Sequence, residues 1–247
     1  MISIIICSIQ RDRFSRITEQ YRRLLGDEPH EIIGVHDAIS IAEGYNRGLD
    51  QSKGDVLIFS HDDLDLWTPE FIPRLLRHLE KVDVVGVAGT TRLAGAAWYL
   101  SGPPHIFGQV THLMQGKYQV HVYGAPGRLV GGIQALDGLF LAFRRSAIER
   151  LRWDDALFDD FHCYDVDCTF RAYQAGMRLG VALDLPIFHY SHGKYGDIWK
   201  RYAAAFAEKH AGALAGIPDR KFQHTVIQVE TEEEAREVMG IVSDLVS

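Results

Sequence analysis

The sequence predicts an α/β protein, with a mostly parallel central sheet and helices on both of its faces. Three observations carry this. Short β-branched apolar runs recur over the first 90 residues (ISIIIC, EIIGV, DVLIFS and VDVVGVAG). Segments with apolar residues at helical spacing lie between them. The joints carry helix-start signals: Ser40 and Glu43 form an S-x-x-E capping box, and Thr68-Pro69 opens a further helix. Strands that alternate with helices call for parallel crossovers and a sheet covered on both sides.

In order, residues 2–7 read as a buried strand because they are β-branched and apolar without a helical period. An Arg-rich segment follows, with Ile17, Tyr21, Leu24 and Leu25 on one helical face. EIIGV at 31–35 is the second strand, and the capped helix over Ala42, Tyr45 and Leu49 ends at Lys53-Gly54. Residues 55–60 are the third strand, a helix buries Phe71, Leu75, Leu76 and Leu79, and 82–89 read as one fourth strand. Between 90 and 135 the periodicity fades while Gly, Pro and aromatic residues accumulate, so this segment is expected to be a functional loop or lid. GLFLAF resumes as strand, SAIERL is a short helix, VALDLPIFHY is a late strand and DIWKRYAAAFAEKH an amphipathic helix. Strand HTVIQV and a helix opened by the Thr231–Glu234 capping box close the chain. The organisation expected is one domain over 1–219 with a strand–helix appendage over 220–247.

Composition excludes several function classes. A chain of 247 residues with 47% hydrophobic and 24% charged residues can bury a real core. A net charge of −7 disfavours nucleic acid as partner, because a phosphate backbone wants a basic face. Three cysteines, Cys7, Cys163 and Cys168, suit a reducing cytosol better than a disulfide framework. MISIIICS lacks the basic start of a signal peptide, and no run approaches the about 20 apolar residues of a membrane span. A cytoplasmic location is expected.

The chemistry concentrates in two acidic knots. FSHDDLDL places His61, Asp62, Asp63 and Asp65 where the third strand ends. In open sheets ligands gather at the carboxyl ends of strands, and close-set Asp oxygens suit a hard divalent cation. The same acids also suit the start of the next helix, whose dipole attracts negative charge. DDFHCYDVDCTFRA opens another helix, with Asp165 between Tyr164 and Val166, where apolar neighbours raise a carboxyl's pKa towards that of a general base. His162, Cys163 and Cys168 lack the C-x-x-C spacing of a zinc site. His189 and His192 follow the late strand.

With Asp37 after the second strand, YNRG at 45–48, KGDVLIFSHDD, ALDGLFLAFRR, YDVDCTFRAYQAG and a late histidine in this order, the chain resembles glycosyltransferase family 2 over about residues 1–195. In particular it resembles the branch called streptomycin-biosynthesis-protein-like. The resemblance implies a GT-A fold with a Rossmann-like nucleotide-binding half, a nucleotide-sugar donor, Mn²⁺ or Mg²⁺, and inverting transfer to a hydroxyl of a glycan or small-molecule acceptor. It implies no nucleic acid and no transmembrane segment, and leaves peripheral membrane contact open.

The family's metal motif falls on His61-Asp62-Asp63, so Asp63 is the implied ligand and His61 replaces the first aspartate. Asp63-Leu64-Asp65 offers a second register through Asp65. The late ligand is His189 or His192, with His192 favoured because Gly193 gives the backbone room and His189 then left to the substrate side. Asp165 takes the base position, with Tyr164 in place of the family's glutamate. Ser8, Gln10, Arg11, Asp37 and Asp62 fall on the donor side, and Asp137, Gly138 and Tyr164 on the sugar or acceptor side. A sugar nucleotidyltransferase shares sheet and metal but normally has a Gly-rich loop after its first strand, which SIQRDRF lacks. An HD-type phosphohydrolase is all-helical, whereas His61-Asp62 follows a strand. A non-catalytic sugar- or nucleotide-sugar-binding protein is the remaining alternative, given the changes at His61 and Tyr164.

Overall fold

The structure, a computed structural model, describes residues 1–191, 193, 195–218 and 223–245. The chain forms β1 (Ile2–Cys7), α1 (Arg11–Leu25), β2 (His30–Val35), α2 (Ile41–Gln51), β3 (Val56–Ser60), β4 (Leu64–Leu66) and α3 (Phe71–Leu79). It continues with β5 (Val84–Gly86), β6 (Ala88–Thr90), β7 (Ile106–Met114), β8 (Lys117–Gly124), β9 (Leu129–Val130), β10 (Ala135–Leu136) and β11 (Phe140–Arg144). Then come α4 (Arg145–Leu151), α5 (Tyr164–Gln174), β12 (Leu179–Ala182), β13 (Ile187–His189), α6 (Asp197–Lys209), β14 (Thr225–Val229) and α7 (Glu232–Leu245).

One sheet runs β2-β1-β3-β11-β5-β12-β9. Its core strands are buried on both faces because helices cover both: Ile4, Ile5, Ile6, Leu57, Ile58 and Phe59 are all fully enclosed. Both capping boxes form. The Ser40 hydroxyl accepts from Glu43 N–H at 3.1 Å, and Thr231 Oγ1 accepts from Glu234 N–H at 3.2 Å. The sheet is mixed rather than mostly parallel: β11 runs antiparallel to both β3 and β5, and β9 to β12. The reason lies in the route of the chain. It leaves the first sheet after β5, builds part of a second sheet, and re-enters from the end at which β3 finishes, so Phe140 pairs with Ser60.

The second sheet corrects two expectations. Residues 82–89 are two strands, not one: Val87 passes the chain from β5 in the first sheet to β6 in the second. The segment expected as a lid contains the β7–β8 hairpin, whose strands pair from Gly108 to Met114 and which is built into the order β10-β6-β7-β13-β4. β14 pairs with β8, and α7 packs its Ala235 and Met239 against Val120 in a small core of its own. Beneath the first sheet, Tyr45, Phe59, Phe143, Trp153 and Tyr164 form a cluster of edge-on and tilted rings joining α2, β3, β11 and α5. Among the described residues no helix is long and apolar enough to cross a membrane.

Candidate active site

β3 ends at Ser60, and the next residue donates its backbone N–H to Leu139 O at 3.1 Å, so the turn His61-Asp62-Asp63 lies against the start of β11. The Asp63 side chain is buried, and its Oδ1 lies 3.3 Å from His189 Nε2 and 4.0 Å from His61 Nδ1. The two imidazole rings are 5.5 Å apart. Burial alone pushes the Asp63 carboxyl up, but the His189 hydrogen bond and the charges of His189 and His61 hold it well below the usual carboxylate range. Burial, then repulsion from His189, pushes the His61 imidazole below its ordinary value. One ligand atom from each of His61, Asp63 and His189 falls within 4.8 Å of the other two, and among the described residues this is the one such group of three.

This set fits a divalent ion. Its carboxylate is ionised and buried, with Arg13 only loosely opposite at 3.8 Å, and two imidazoles with one carboxylate suit Mn²⁺ better than all-oxygen-seeking Mg²⁺. His189, left to the substrate side by the sequence, is the late histidine in the cluster, while His192 lies outside the described residues. The second register through Asp65 is not assembled. Asp65 stays out of the cluster: its carboxylate accepts from Tyr190 OH at 2.7 Å and faces Arg16 at 3.9 Å.

Asp165 opens α5 beside Gly138. Its Oδ2 accepts the Gly138 N–H at 2.8 Å, and a Cβ on residue 138 would stand 2.6 Å from the Asp165 Cβ, so only glycine permits this approach. Burial, reinforced by the negative charge of Asp137, pushes the Asp165 carboxyl up to about 7. Cys163, just before the helix, sits in the left-handed region at φ 62°, a conformation non-glycine residues seldom adopt away from special sites. Both Asp137 oxygens are held, one by Trp98 Nε1–H at 2.8 Å and one by Leu139 N–H at 3.1 Å. Tyr164 OH meets His61 Nε2 at 2.8 Å, and this bond links the two acidic knots. Asp167 turns the other way and is fully enclosed by Arg171, Lys209 and His210.

Two pockets open on either side of the His61–Tyr164 bond and share those residues and Phe161. The first, about 260 Å³, is bordered by Ser8, Gln10, Arg13, Ala38, Ile41, Asp62 and Asp63. The Ser8 hydroxyl donates to Asp62 Oδ2 at 2.6 Å, fixing that carboxylate at the rim. Arg11 is exposed at the first residue of α1, and it is Arg13, one helical step on, that faces the acids. Asp37 lies outside this pocket, exposed and tied to Arg47 at 2.8 Å, so Ala38 and Ile41 line the wall nearest it. The second pocket, about 220 Å³, holds Asp137, Asp165, His112 and a set of aromatic rings. Sequence reasoning missed Arg13, Trp98, His112 and Tyr123. For the last two a signal existed: Gln115-Gly116, both at positive φ between paired Met114 and Lys117, is a two-residue hairpin turn flanked by alternating β-prone runs.

The fold, an α/β sheet covered by helices on both sides with an acid–histidine cluster at a strand end, matches that of GT-A glycosyltransferases. The chain belongs to the glycosyltransferase-like family, whose profile matches residues 3–213. Among solved structures it is similar to the mannosyltransferase PcManGT from Pyrobaculum calidifontis in complex with GDP-Man and Mn²⁺, at 11% identity and a TM-score of 0.55, over 88% of this chain and 65% of that one. It is also similar to GalNAc-T7 with UDP, GalNAc and Mn²⁺, at 9% identity and a TM-score of 0.50, over 84% of this chain and 47% of that one. The chain thus spans just under two thirds of the first of these structures and about half of the second. No curated protein sequence matches it.

Proposed function

We propose that this protein transfers a sugar from a nucleotide-sugar donor to an acceptor hydroxyl, in one step and with inversion, in the presence of a divalent metal. The observation that carries the proposal is the placement of Asp165 across the His61–Tyr164 bond from the His61–Asp63–His189 cluster, with one pocket on each side. A carboxyl whose pKa stands near neutrality is suited to take the proton of an attacking hydroxyl. Asp137, with both oxygens fixed, orients the sugar or acceptor beside it. Ser8, Gln10, Arg13 and Asp62 border the pocket assigned to the donor, where Arg13 would face the diphosphate. His61, Asp63 and His189 would hold the ion, which supplies Lewis-acid stabilisation of the departing diphosphate when bound. The closer likeness to the streptomycin-biosynthesis-protein-like branch belongs to this proposal and rests on the order of the motifs.

Calorimetric titration with UDP and GDP, with and without Mn²⁺, tests it. At least one of the two should bind in a Mn²⁺-dependent manner, and Asp63→Ala should weaken that binding by about tenfold or more while the circular dichroism spectrum is kept. Metal-independent binding in both proteins overturns the ligand assignment, and turnover undiminished in excess chelator overturns metal dependence.

A further inference from the structure

The two pockets differ in electrical character, and that difference bears on the acceptor. Among the described residues lining them, Arg13 alone is a lysine or arginine, and it stands on the donor side. The other pocket contains two carboxylates, Asp137 and Asp165, and its described lining includes four histidines but no lysine or arginine. Among the described residues neither carboxylate is paired with a lysine or arginine: Asp137 is held by Trp98 Nε1–H and a backbone N–H, and Asp165 Oδ2 accepts the Gly138 N–H. On its wall the Tyr123 hydroxyl is pushed up first by burial and then by the charge of Asp137, and the Tyr195 hydroxyl first by burial and then by Tyr99, with Asp137 adding to it.

The walls are aromatic. Tyr99 and Tyr195 meet edge-on at 6.0 Å, Tyr195 and Trp199 at 5.2 Å, and Trp98 packs edge-on against Tyr123 at 4.9 Å. Phe161, 57% exposed, stands where the two pockets meet. Ring faces accept the C–H face of a sugar, and in a negative cavity they also attract a cation. At about 220 Å³ the space lies below the roughly 300–1,000 Å³ of pockets for drug-sized ligands, so it suits about one sugar ring.

We infer that the acceptor is a compact sugar or polyol bearing no phosphate or carboxylate, with amine substituents favoured over neutral ones. The inference rests on the transferase proposal and deepens it by naming the acceptor's charge class. A phosphate on the acceptor would enter a space beside two carboxylates, and like charges brought together in a partly dry site repel. The same repulsion keeps the donor's diphosphate on the Arg13 side, so the charge difference orients both substrates.

The test measures binding of glucosamine, glucose and glucose 6-phosphate by calorimetry or saturation-transfer NMR at pH 7. There the glucosamine amine is largely protonated and the phosphate ester is anionic. The protein is first loaded with Mn²⁺ and whichever of UDP or GDP it binds. Glucosamine should bind best, glucose next, and glucose 6-phosphate more weakly than glucosamine by about tenfold or more. In Asp137→Asn the penalty against glucose 6-phosphate should shrink severalfold. Equal or tighter binding of the phosphate ester overturns the inference, as does failure of all three sugars to bind a nucleotide-loaded protein. If neither nucleotide binds with metal, the transferase proposal itself fails, a separate outcome read in the loading step.

Discussion

In the proposed reaction Asp165 ties catalysis and stability to the same proton in opposite senses. Its carboxyl stands at about 7 in the folded protein against an ordinary value of 3.8, mainly because it is buried and secondarily because Asp137 is negative. The neutral form is therefore favoured by folding. Its contribution to stability is fully present below the unfolded pKa and is lost as pH rises through about 7. The base form is the one that rises over this range, so turnover should increase between pH 6 and 8 while urea stability declines. Asp165→Asn should flatten the stability decline and cut turnover by ~10²–10⁴-fold, with nucleotide affinity held. Urea melts at pH 5 and pH 8, set beside steady-state rates, check both limbs; a turnover loss under about tenfold would pass the role to another group. Asp63 and Asp165 were legible in the sequence because each sits in a dense acidic knot beside an element boundary. Arg13 and Trp98 were not, since a single arginine or tryptophan carries no sign of what the fold will bring to face it. His61 stood as a departure from the family pattern, and the structure gives it a neighbourly place beside Asp63 and His189.

At the scale of elements, what was legible depended on whether a segment's partners lie nearby in sequence. β1, β2, β3 and β5 follow one another with intervening helices, and local period and caps suffice to mark them. The second sheet is made of distant pieces: β13 pairs with β7 on one side and β4 on the other, and β10 returns to β6. Short strands such as Leu64–Leu66 have too few residues to show a period of two, and β7 mixes apolar residues with Thr, His and Gln on its two faces. The hairpin is a structural wall of the pocket that holds Asp137 and Asp165, so its amides at Val110, Val120 and Val122 should be protected from hydrogen exchange in the ligand-free protein. Free exchange there, slowed only by donor and metal, would restore the lid. Its turn offers a sharper check: Gly116 has φ 79°, so Gly116→Val should cost about 1 kcal/mol or more in a denaturant melt, with no change in nucleotide binding.

At the scale of the whole molecule, one buried acid fastens α6, whose Trp199 lines the pocket of Asp137 and Asp165, to α5. Asp167 on α5 is 0% exposed and takes Arg171 from its own helix together with Lys209 and His210 from the end of α6, whose other end bears Trp199. Removing it strands those cations, so Asp167→Ala should lower stability by about 3–5 kcal/mol. A stability change below about 1 kcal/mol would mean that α6 is held by its apolar contacts alone.

The lateral position of β14 bears on colloidal behaviour. From Thr225 to Val229 this strand occupies the flank of β8 that β7 leaves free, and α7 lies across the same hairpin. Without them the N–H and C=O groups of Tyr118 to Val122 would face water in an extended row, with Val120 uncovered, and such a row is a template for pairing with another chain. A chain ending at residue 219 should consequently self-associate as its concentration rises, read as growing scattered light where the full chain stays constant. The closing strand and helix then act as a guard against polymerisation, whatever else they do.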